Sequence, residues 1–136
     1  MRYLLDTHTF IWFIEKNSIL SKTADAIIKN STNEIYVSIV SLWEIAVKVS
    51  LGKLSLPSPF DKFIEKERRF AKIKMLPFGI RHTKTYANLP YIIGTNQKQH
   101  TDPFDRMLIS IAKTENISII SADQNFPFYT GLKVIW

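Results

Sequence analysis

The sequence predicts an α/β fold, a three-layer α/β/α sandwich with a mainly parallel central sheet. Short, continuously apolar strands alternate with segments of helical periodicity, and no internal repeat, linker or low-complexity segment interrupts them. Strands of this kind are typical of parallel sheets that helices cover on both faces. With 136 residues, 46 % of them hydrophobic and 22 % charged, the chain is expected to form a single domain over residues 1–136.

Five strands are predicted from short runs rich in apolar and β-branched residues. They are Arg2–Leu5, Glu34–Ser38, Lys72–Leu76, Ile117–Ser121 and Lys133–Trp136. The third run alternates apolar and polar residues and is followed by Pro77, as is typical of a strand at a sheet edge.

Six helices are predicted from apolar residues that recur every three or four positions. They are Phe10–Ile14, Ser21–Lys29, Val40–Leu51, Phe60–Phe70, Ile80–Asn88 and Pro103–Glu115. Thr7 or Thr9 is expected to cap the first helix, Gly52 to end the third, and Asp102 to cap the sixth. The polar stretch Leu89–Thr101 is predicted to be a mobile loop beside a functional site.

Charge and composition restrict the partners, metal sites and location that are possible for this protein. The net charge is +6, and residues 62–84 carry eight basic against two acidic residues. Such a stretch indicates a polyanionic partner such as nucleic acid, or else a solvated helix face with ion pairs such as Glu65–Arg69. The absence of cysteine excludes disulfides and thiolate metal sites and favours a cytoplasmic location. The apolar run Phe10–Ile14 is too short for a signal sequence or membrane span, so no membrane partner is expected.

Four acidic residues occupy positions that call for a special explanation. Asp6 ends the first strand and Asp123 lies two residues beyond Ser121, so both belong at the carboxyl edge of the sheet, where ligands bind in open α/β folds. Glu44 and Asp105 each lie within the apolar stripe of a helix. A carboxylate is costly to bury there unless it is paired or binds a metal. Asp105 opens the helix before the fourth strand, and a simple strand–helix interpretation would place it at the opposite edge from Asp6; the residues alone do not resolve at which edge it lies.

Each acid also has a local alternative. Asp6 suits a helix N-cap, Asp105 a capping box, and Asp123 a turn. Glu44 suits an exposed ion pair with Lys48. Taken together, the four carboxylates predict an oxygen-ligand site for Mg²⁺ or Mn²⁺.

Other residues give weaker signals. The three histidines have no motif partner; they are His8, His82 and His100. His8 and His100 lie next to the predicted site and are expected to be structural or substrate-facing, and not catalytic. Ser41, one turn before Glu44, would support the site or cap the helix. Aromatic residues at helical spacing are more typical of a core or interface than of base stacking; they are Trp12, Phe13 and Trp43.

Four segments resemble, in order, the successive motifs of PIN-domain ribonucleases. They are Leu4–His8, Ser38–Lys48 with Leu51–Leu54, His100–Arg106 and Ser121–Asp123. The similarity covers essentially the whole chain and is greatest to the toxin branch of bacterial toxin–antitoxin pairs, the VapC type. The resemblance implies a PIN-like parallel-sheet fold in which four catalytic metal ligands converge: Asp6, Glu44, Asp105 and Asp123. It thereby settles the position of Asp105, and it implies that Asp102 is a helix cap and not a ligand.

The activity implied by this resemblance is that of a Mg²⁺-dependent endoribonuclease, with Mn²⁺ as a second candidate cofactor. Such a hydrolase would cut a structured RNA such as tRNA or rRNA and leave a 5′-phosphate and a 3′-hydroxyl. Arg106 and the basic stretch 62–84 would hold the RNA backbone. The resemblance further implies a cognate antitoxin partner and a homodimer.

Two alternatives come from other classes. One is a catalytically silent RNA- or protein-binding module, which would keep the basic stretch without needing all four acids. The other is a Mg²⁺-dependent phosphoacceptor receiver, which needs an acceptor aspartate at the end of a middle strand. The runs Tyr36–Ser38 and Met75–Pro77 end without one.

Overall fold

The central sheet has five parallel strands in the described part of the chain. The computed structural model describes residues 1–70 and 72–136, apart from the side chains of Glu67, Arg68 and Phe70. The strands are β1 (Arg2–Leu5), β2 (Glu34–Ser38), β3 (Lys74–Leu76), β4 (Ser118–Ile120) and β5 (Val134–Ile135), in the order β3-β2-β1-β4-β5. Leu5 of β1 pairs with Val37 on one side and with Ile120 on the other, so the carboxyl ends of the three inner strands are level. The predicted parallel sheet, with its third strand at an edge, is confirmed.

The described residues form six α-helices, all of them predicted. They are α1 (Thr7–Glu15), α2 (Lys22–Lys29), α3 (Ile39–Ser50), α4 (Phe60–Phe70), α5 (Ile80–Ala87) and α6 (Pro103–Glu115). The prediction that Thr7 or Thr9 caps α1 was wrong. Asp6 caps this helix, as the local alternative for Asp6 supposed, and α1 therefore begins at Thr7. None of these helices is long and apolar enough to cross a membrane.

Alternate residues of each strand point to opposite faces of the sheet and build two cores. On one face, Leu5, Val37 and Ile120 pack with residues of α1, α2 and α4. On the other face, Leu4 and Ile119 pack with residues of α6. Helix α3 contributes to both cores, through Ile45 and Val40 respectively. Burial on both faces explains the continuously apolar strands, and it confirms the predicted three-layer α/β/α arrangement.

Arg106 lies in the interior, and the prediction that it holds RNA was wrong. Only 1 % of its surface is exposed, because it lies on α6 under the Leu89–Thr101 loop. Its guanidinium donates to the carbonyls of Leu89 at 2.8 Å and Pro90 at 3.1 Å, and to the Tyr129 hydroxyl at 3.2 Å. The ring of Tyr91 covers it at 3.9 Å. Arg106 therefore anchors the start of the loop to α6.

Replacing Arg106 with leucine is expected to destabilise the fold by about 2–4 kcal/mol, because the buried carbonyl of Leu89 and the part-buried carbonyl of Pro90 would lose their donor. Denaturant unfolding measures this loss, and hydrogen exchange of the Gly94 and His100 amides reports local loosening of the loop. Arg81→Leu is the matched control, because Arg81 pairs with Glu115 at the surface and its loss is expected to cost less than about 1 kcal/mol. Equal effects of the two substitutions would contradict the anchoring role.

Candidate metal centre at the carboxyl edge of the sheet

Asp6 connects the central strand to the first helix. Its amide donates to the Ile120 carbonyl at 3.1 Å, which extends the β1–β4 ladder by one bond, and its Oδ1 accepts from the Thr9 amide at 2.6 Å. The N-cap interpretation is therefore correct, yet only 6 % of the residue is exposed. Burial raises the pKa of this carboxyl, and hydrogen bonds from Ser121 and Thr9 oppose the rise.

Glu44 lies on the buried side of α3, which begins directly after β2 with Ser38 as its cap. Its Oε2 accepts from the Thr7 hydroxyl at 2.5 Å, and its Oε1 pairs with Lys48 Nζ at 2.8 Å. The ion pair considered as an alternative is thus present. It is not an exposed one, because Glu44 is only 7 % accessible. Both of its oxygens are oriented by neighbouring donors.

Asp105 heads α6 in the first turn. The helix cap is Asp102, as predicted, and its Oδ1 accepts from the Asp105 amide at 2.9 Å. The Asp105 carboxylate lies near His100, whose Nε2 is 3.3 Å from Oδ2. Burial, followed by the charges of four neighbouring carboxylates, raises the pKa of Asp105 to about 8; these neighbours are Asp102, Asp123, Glu44 and Asp6.

The position of α6 answers the question of the sheet edge. A helix that crosses over between parallel strands runs antiparallel to them, so it begins at the carboxyl edge and ends at the amino edge. Helix α6 precedes β4 and therefore starts over the same edge as Asp6. Asp105 lies at the correct edge for this reason, in agreement with what the resemblance implied.

Asp123 lies in the loop after β4. Its amide donates to the Ser121 hydroxyl at 3.0 Å, and its Oδ1 accepts from the Asn125 amide at 2.7 Å. It is therefore a turn residue, as the local alternative supposed. Its carboxylate also lies close to Asp105. One carboxylate oxygen of each of these two residues and one ring nitrogen of His100, all of them possible metal ligands, lie within 4.8 Å of one another. Asp123 therefore forms a turn and also lies close enough to Asp105 to belong to the same site.

All four predicted acids line one cleft of about 510 Å³ at the carboxyl edge of the sheet. Lys48 and Lys53 also line it, together with the rings of His8 and Trp12. The donor set fits a hard divalent cation, since Mg²⁺ and Mn²⁺ prefer carboxylate oxygens. The raised pKa of Asp105 supports the same conclusion, because burial first and the charges of neighbouring carboxylates second disfavour its ionised form, and a bound cation would offset both effects.

The basic residues at the cleft differ from those that we predicted. No described residue of the stretch 62–84 lines the cleft, and the side chain of Arg68 lies outside the described residues. Glu65 and Arg69 form the i,i+4 ion pair of the alternative interpretation. The lysines at the cleft are Lys48, on α3, and Lys53, just after it. The signal in the sequence was the four-residue spacing from Glu44 to Lys48, which places both side chains on one side of the helix.

His100 lies beside the site, as expected, and the structure adds the partners that the sequence did not indicate. Its Nδ1 lies 2.7 Å from the Tyr129 hydroxyl, in addition to the contact of its Nε2 with Asp105. Burial lowers the pKa of this imidazole. The signal was its place five residues before Asp105 within one motif, but its partner Tyr129 is distant in the chain.

For Ser41 and Trp43 the structure excludes one of the two predicted alternatives. Ser41 does not cap α3; it is buried, and its hydroxyl has no hydrogen-bond partner among the described residues. Trp43 is 61 % exposed and its ring packs edge-on against Phe104 at 5.0 Å. An exposed tryptophan beside the cleft excludes a core role and is typical of an interface.

Comparison with known proteins identifies the family. The family model of the PIN domain matches residues 3–131. The fold is similar to VapBC2 from Rickettsia felis bound to a promoter DNA fragment (TM-score 0.69, 20 % identity, covering 99 % of this chain and 98 % of that one). It is also similar to VapBC-1 from nontypeable Haemophilus influenzae (TM-score 0.66, 17 % identity, covering 99 % of this chain and 97 % of that one). A third similar structure is VapBC-5 from Mycobacterium tuberculosis (TM-score 0.62, 18 % identity, covering 98 % of this chain and 97 % of that one).

A search of curated protein sequences gives no match. The family model nevertheless covers nearly the whole chain, including the four acids predicted for the site. The predicted family is therefore confirmed, and the chain belongs to the PIN-domain family.

Proposed function

We propose that the chain is a divalent-metal-dependent endoribonuclease of the VapC type, acting as the toxin of a toxin–antitoxin pair. The observation that carries the proposal is the convergence of four carboxylates on one cleft, with the pKa of Asp105 raised to about 8. Perturbed carboxylates gathered in a cleft are typical of catalytic sites. The fold neighbours support the toxin assignment, since one is described as a member of the VapBC family of toxin–antitoxin systems.

We assign Asp6 and Asp105 as the main ligands of Mg²⁺ or Mn²⁺, with Asp123 and Glu44 completing the site. When bound, the ion would lower the pKa of a coordinated water and neutralise charge on the phosphoryl group. Thr7 and Lys48 hold the two oxygens of Glu44. Held in this way, Glu44 would either complete the coordination of the ion or orient a water at the site.

The RNA backbone would be held by Lys48 and Lys53, which replace Arg106 in this role. Both line the cleft beside the carboxylates, and Lys53 has no carboxylate within ion-pair distance among the described residues. Backbone contacts of this kind make binding fall with rising salt concentration. A structured RNA such as tRNA or rRNA is the proposed substrate, and the cytoplasm is accordingly the proposed site of action.

The purified protein is expected to cleave a labelled pool of structured RNA in the presence of Mg²⁺ or Mn²⁺ and to be inactive in EDTA. A water, and not the RNA 2′-hydroxyl, would attack the phosphorus, and the 3′ oxygen would be the leaving group. The products are therefore expected to carry 5′-phosphate and 3′-hydroxyl ends, which end-specific ligation identifies. Cleavage that persists in EDTA would contradict the proposal. No cleavage by folded, antitoxin-free protein with either metal would favour the catalytically silent binding module.

Two partners belong to the same proposal. A small antitoxin is expected to cover the cleft, and a short reading frame beside the gene would be its source. A homodimer is also proposed, and the exposed apolar side chains of Ile39 and Trp43 would suit such an interface. Light scattering of the antitoxin-free protein measures the mass and distinguishes a dimer from a monomer.

A further inference from the structure

A chain of hydrogen bonds connects the interior of the protein to the metal centre. It runs from the Arg106 guanidinium to the Tyr129 hydroxyl at 3.2 Å, then to Nδ1 of His100 at 2.7 Å, and from Nε2 of His100 to Oδ2 of Asp105 at 3.3 Å. Arg106 and Tyr129 are almost fully buried, and His100 is buried as well. This series of hydrogen bonds is therefore shielded from solvent along most of its length.

The direction of each bond follows from the inventory of donors and acceptors. A guanidinium has only donors, so the Tyr129 oxygen accepts from Arg106. The phenol then has one proton to donate, and Nδ1 of His100 is its acceptor among the described residues. A neutral imidazole whose Nδ1 accepts carries its proton on Nε2. That proton points to Oδ2 of Asp105.

We propose that Arg106, Tyr129 and His100 form a directional hydrogen-bond relay, which makes His100 a positioning residue that donates from Nε2 to Oδ2 of Asp105. The relay holds one carboxylate oxygen and leaves Oδ1 for the cation. This last part rests on the metal-binding function proposed above. A donor that fixes the orientation of a ligating carboxylate acts from outside the coordination shell.

The competing role for His100 is that of a metal ligand. Its ring nitrogen lies within 4.8 Å of donor atoms of Asp105 and Asp123, which is close enough for a shared ion. A ligating imidazole needs an unprotonated nitrogen, however, and the relay places the proton on the very nitrogen that faces the site. The proton position on one ring therefore distinguishes the two roles.

Nuclear magnetic resonance of metal-free protein labelled with ¹⁵N-histidine tests the relay without any nuclease assay. We expect His100 to show a protonated Nε2 and an unprotonated Nδ1, assigned by the signals missing from His100→Gln. Tyr129→Phe removes the donor to Nδ1 and is expected to abolish this preference. Tyr91→Phe is the control, because its ring covers Arg106 but its hydroxyl has no part in the relay. A protonated Nδ1 with a bare Nε2 in the wild type would overturn the proposal.

Mn²⁺ binding tests the positioning role separately. His100→Leu is expected to weaken Mn²⁺ about 10- to 100-fold, whereas His100→Gln, which keeps an N–H donor, should recover part of the affinity. Pulsed electron paramagnetic resonance of the Mn²⁺ protein should show no directly coordinated histidine nitrogen. A coordinated nitrogen, or unchanged affinity in folded His100→Leu, would refute the positioning role. If His100→Leu does not fold, Tyr129→Phe serves in its place. If the wild type binds no Mn²⁺ but has the expected tautomer, the metal function fails and the relay stands.

Discussion

Asp105→Asn is expected to abolish RNA cleavage and divalent-cation binding and, at the same time, to stabilise the metal-free protein at pH 8. The amide keeps the size of the carboxyl group but cannot carry its charge. Function is lost because asparagine is a poor ligand for a hard cation in place of a carboxylate. Stability rises because the substitution removes a buried charge that four neighbouring carboxylates repel.

The pH window follows from the raised pKa of Asp105. Between pH values of about 4 and about 8, the folded protein binds this proton more tightly than the unfolded chain does. The stability that the protonated group provides is fully present below about pH 4 and is lost as the pH rises through about 8. The loss is on the order of a few kcal/mol. Burial raises the pKa of Asp6 as well, so Asp6 contributes with the same sign.

Urea unfolding in EDTA at pH 5 and pH 8 measures this difference. The wild type is expected to be less stable at pH 8 than at pH 5, and Asp105→Asn should reduce the gap. Asp25→Asn is the matched control, because Asp25 pairs with Lys29 on the surface of α2, far from the cleft in the fold. The prediction fails if Asp105→Asn cleaves RNA at the wild-type rate, or if it is less stable than the wild type at pH 8.

Divalent-cation affinity is expected to rise with pH by about tenfold per pH unit up to about pH 8. The cation binds the carboxylate form of Asp105, so below its pKa each binding event must release a proton. At pH 8 and above, added Mg²⁺ or Mn²⁺ should also restore the stability that carboxylate repulsion removes, because the ion binds only the folded state. The same ions should have little effect on stability at pH 5.

Titration calorimetry in two buffers of different ionisation enthalpy counts the protons released on binding. We expect about one proton per ion near pH 7 and fewer above pH 8. Asp25→Asn should show the same pH dependence as the wild type. Equal affinity at pH 6 and pH 8, with no proton release, would show that Asp105 is ionised in the metal-free protein and would remove the electrostatic argument for the site.

The secondary structure was predictable because its causes are local. The apolar runs predict the strands, and the helical periodicity predicts α3 and α6. Asp102 before Pro103 indicates where α6 begins. The errors were at the ends, as with Asp6, whose carboxylate caps α1 while also facing the cleft. One residue can satisfy a helix terminus and line a site, so the local alternatives were not alternatives in the folded protein.

The fates of the basic residues were not predictable in the same way. A run of lysines and arginines looks the same in a sequence whether it faces a ligand or the solvent on another side of the fold. Arg106 follows Asp105 in the chain, yet its side chain points away from the cleft to the carbonyls of Leu89 and Pro90. These acceptors belong to the backbone of the Leu89–Thr101 loop, which passes over α6. No pattern in the residues next to Arg106 predicts this contact.

The sequence by itself determined the parallel α/β/α fold and the four acids that the structure places on one cleft. Strand and helix patterns are local, which is why they could be read from the chain, but the residues alone left open at which sheet edge Asp105 lies, and the position of α6 before β4 in the fold answered that question. Only the tertiary structure decided which side chains surround those acids: Lys48 and Lys53 at the cleft, and Tyr129 behind His100. Such contacts join residues far apart in the chain, and their geometry depends on how the two cores pack against the sheet.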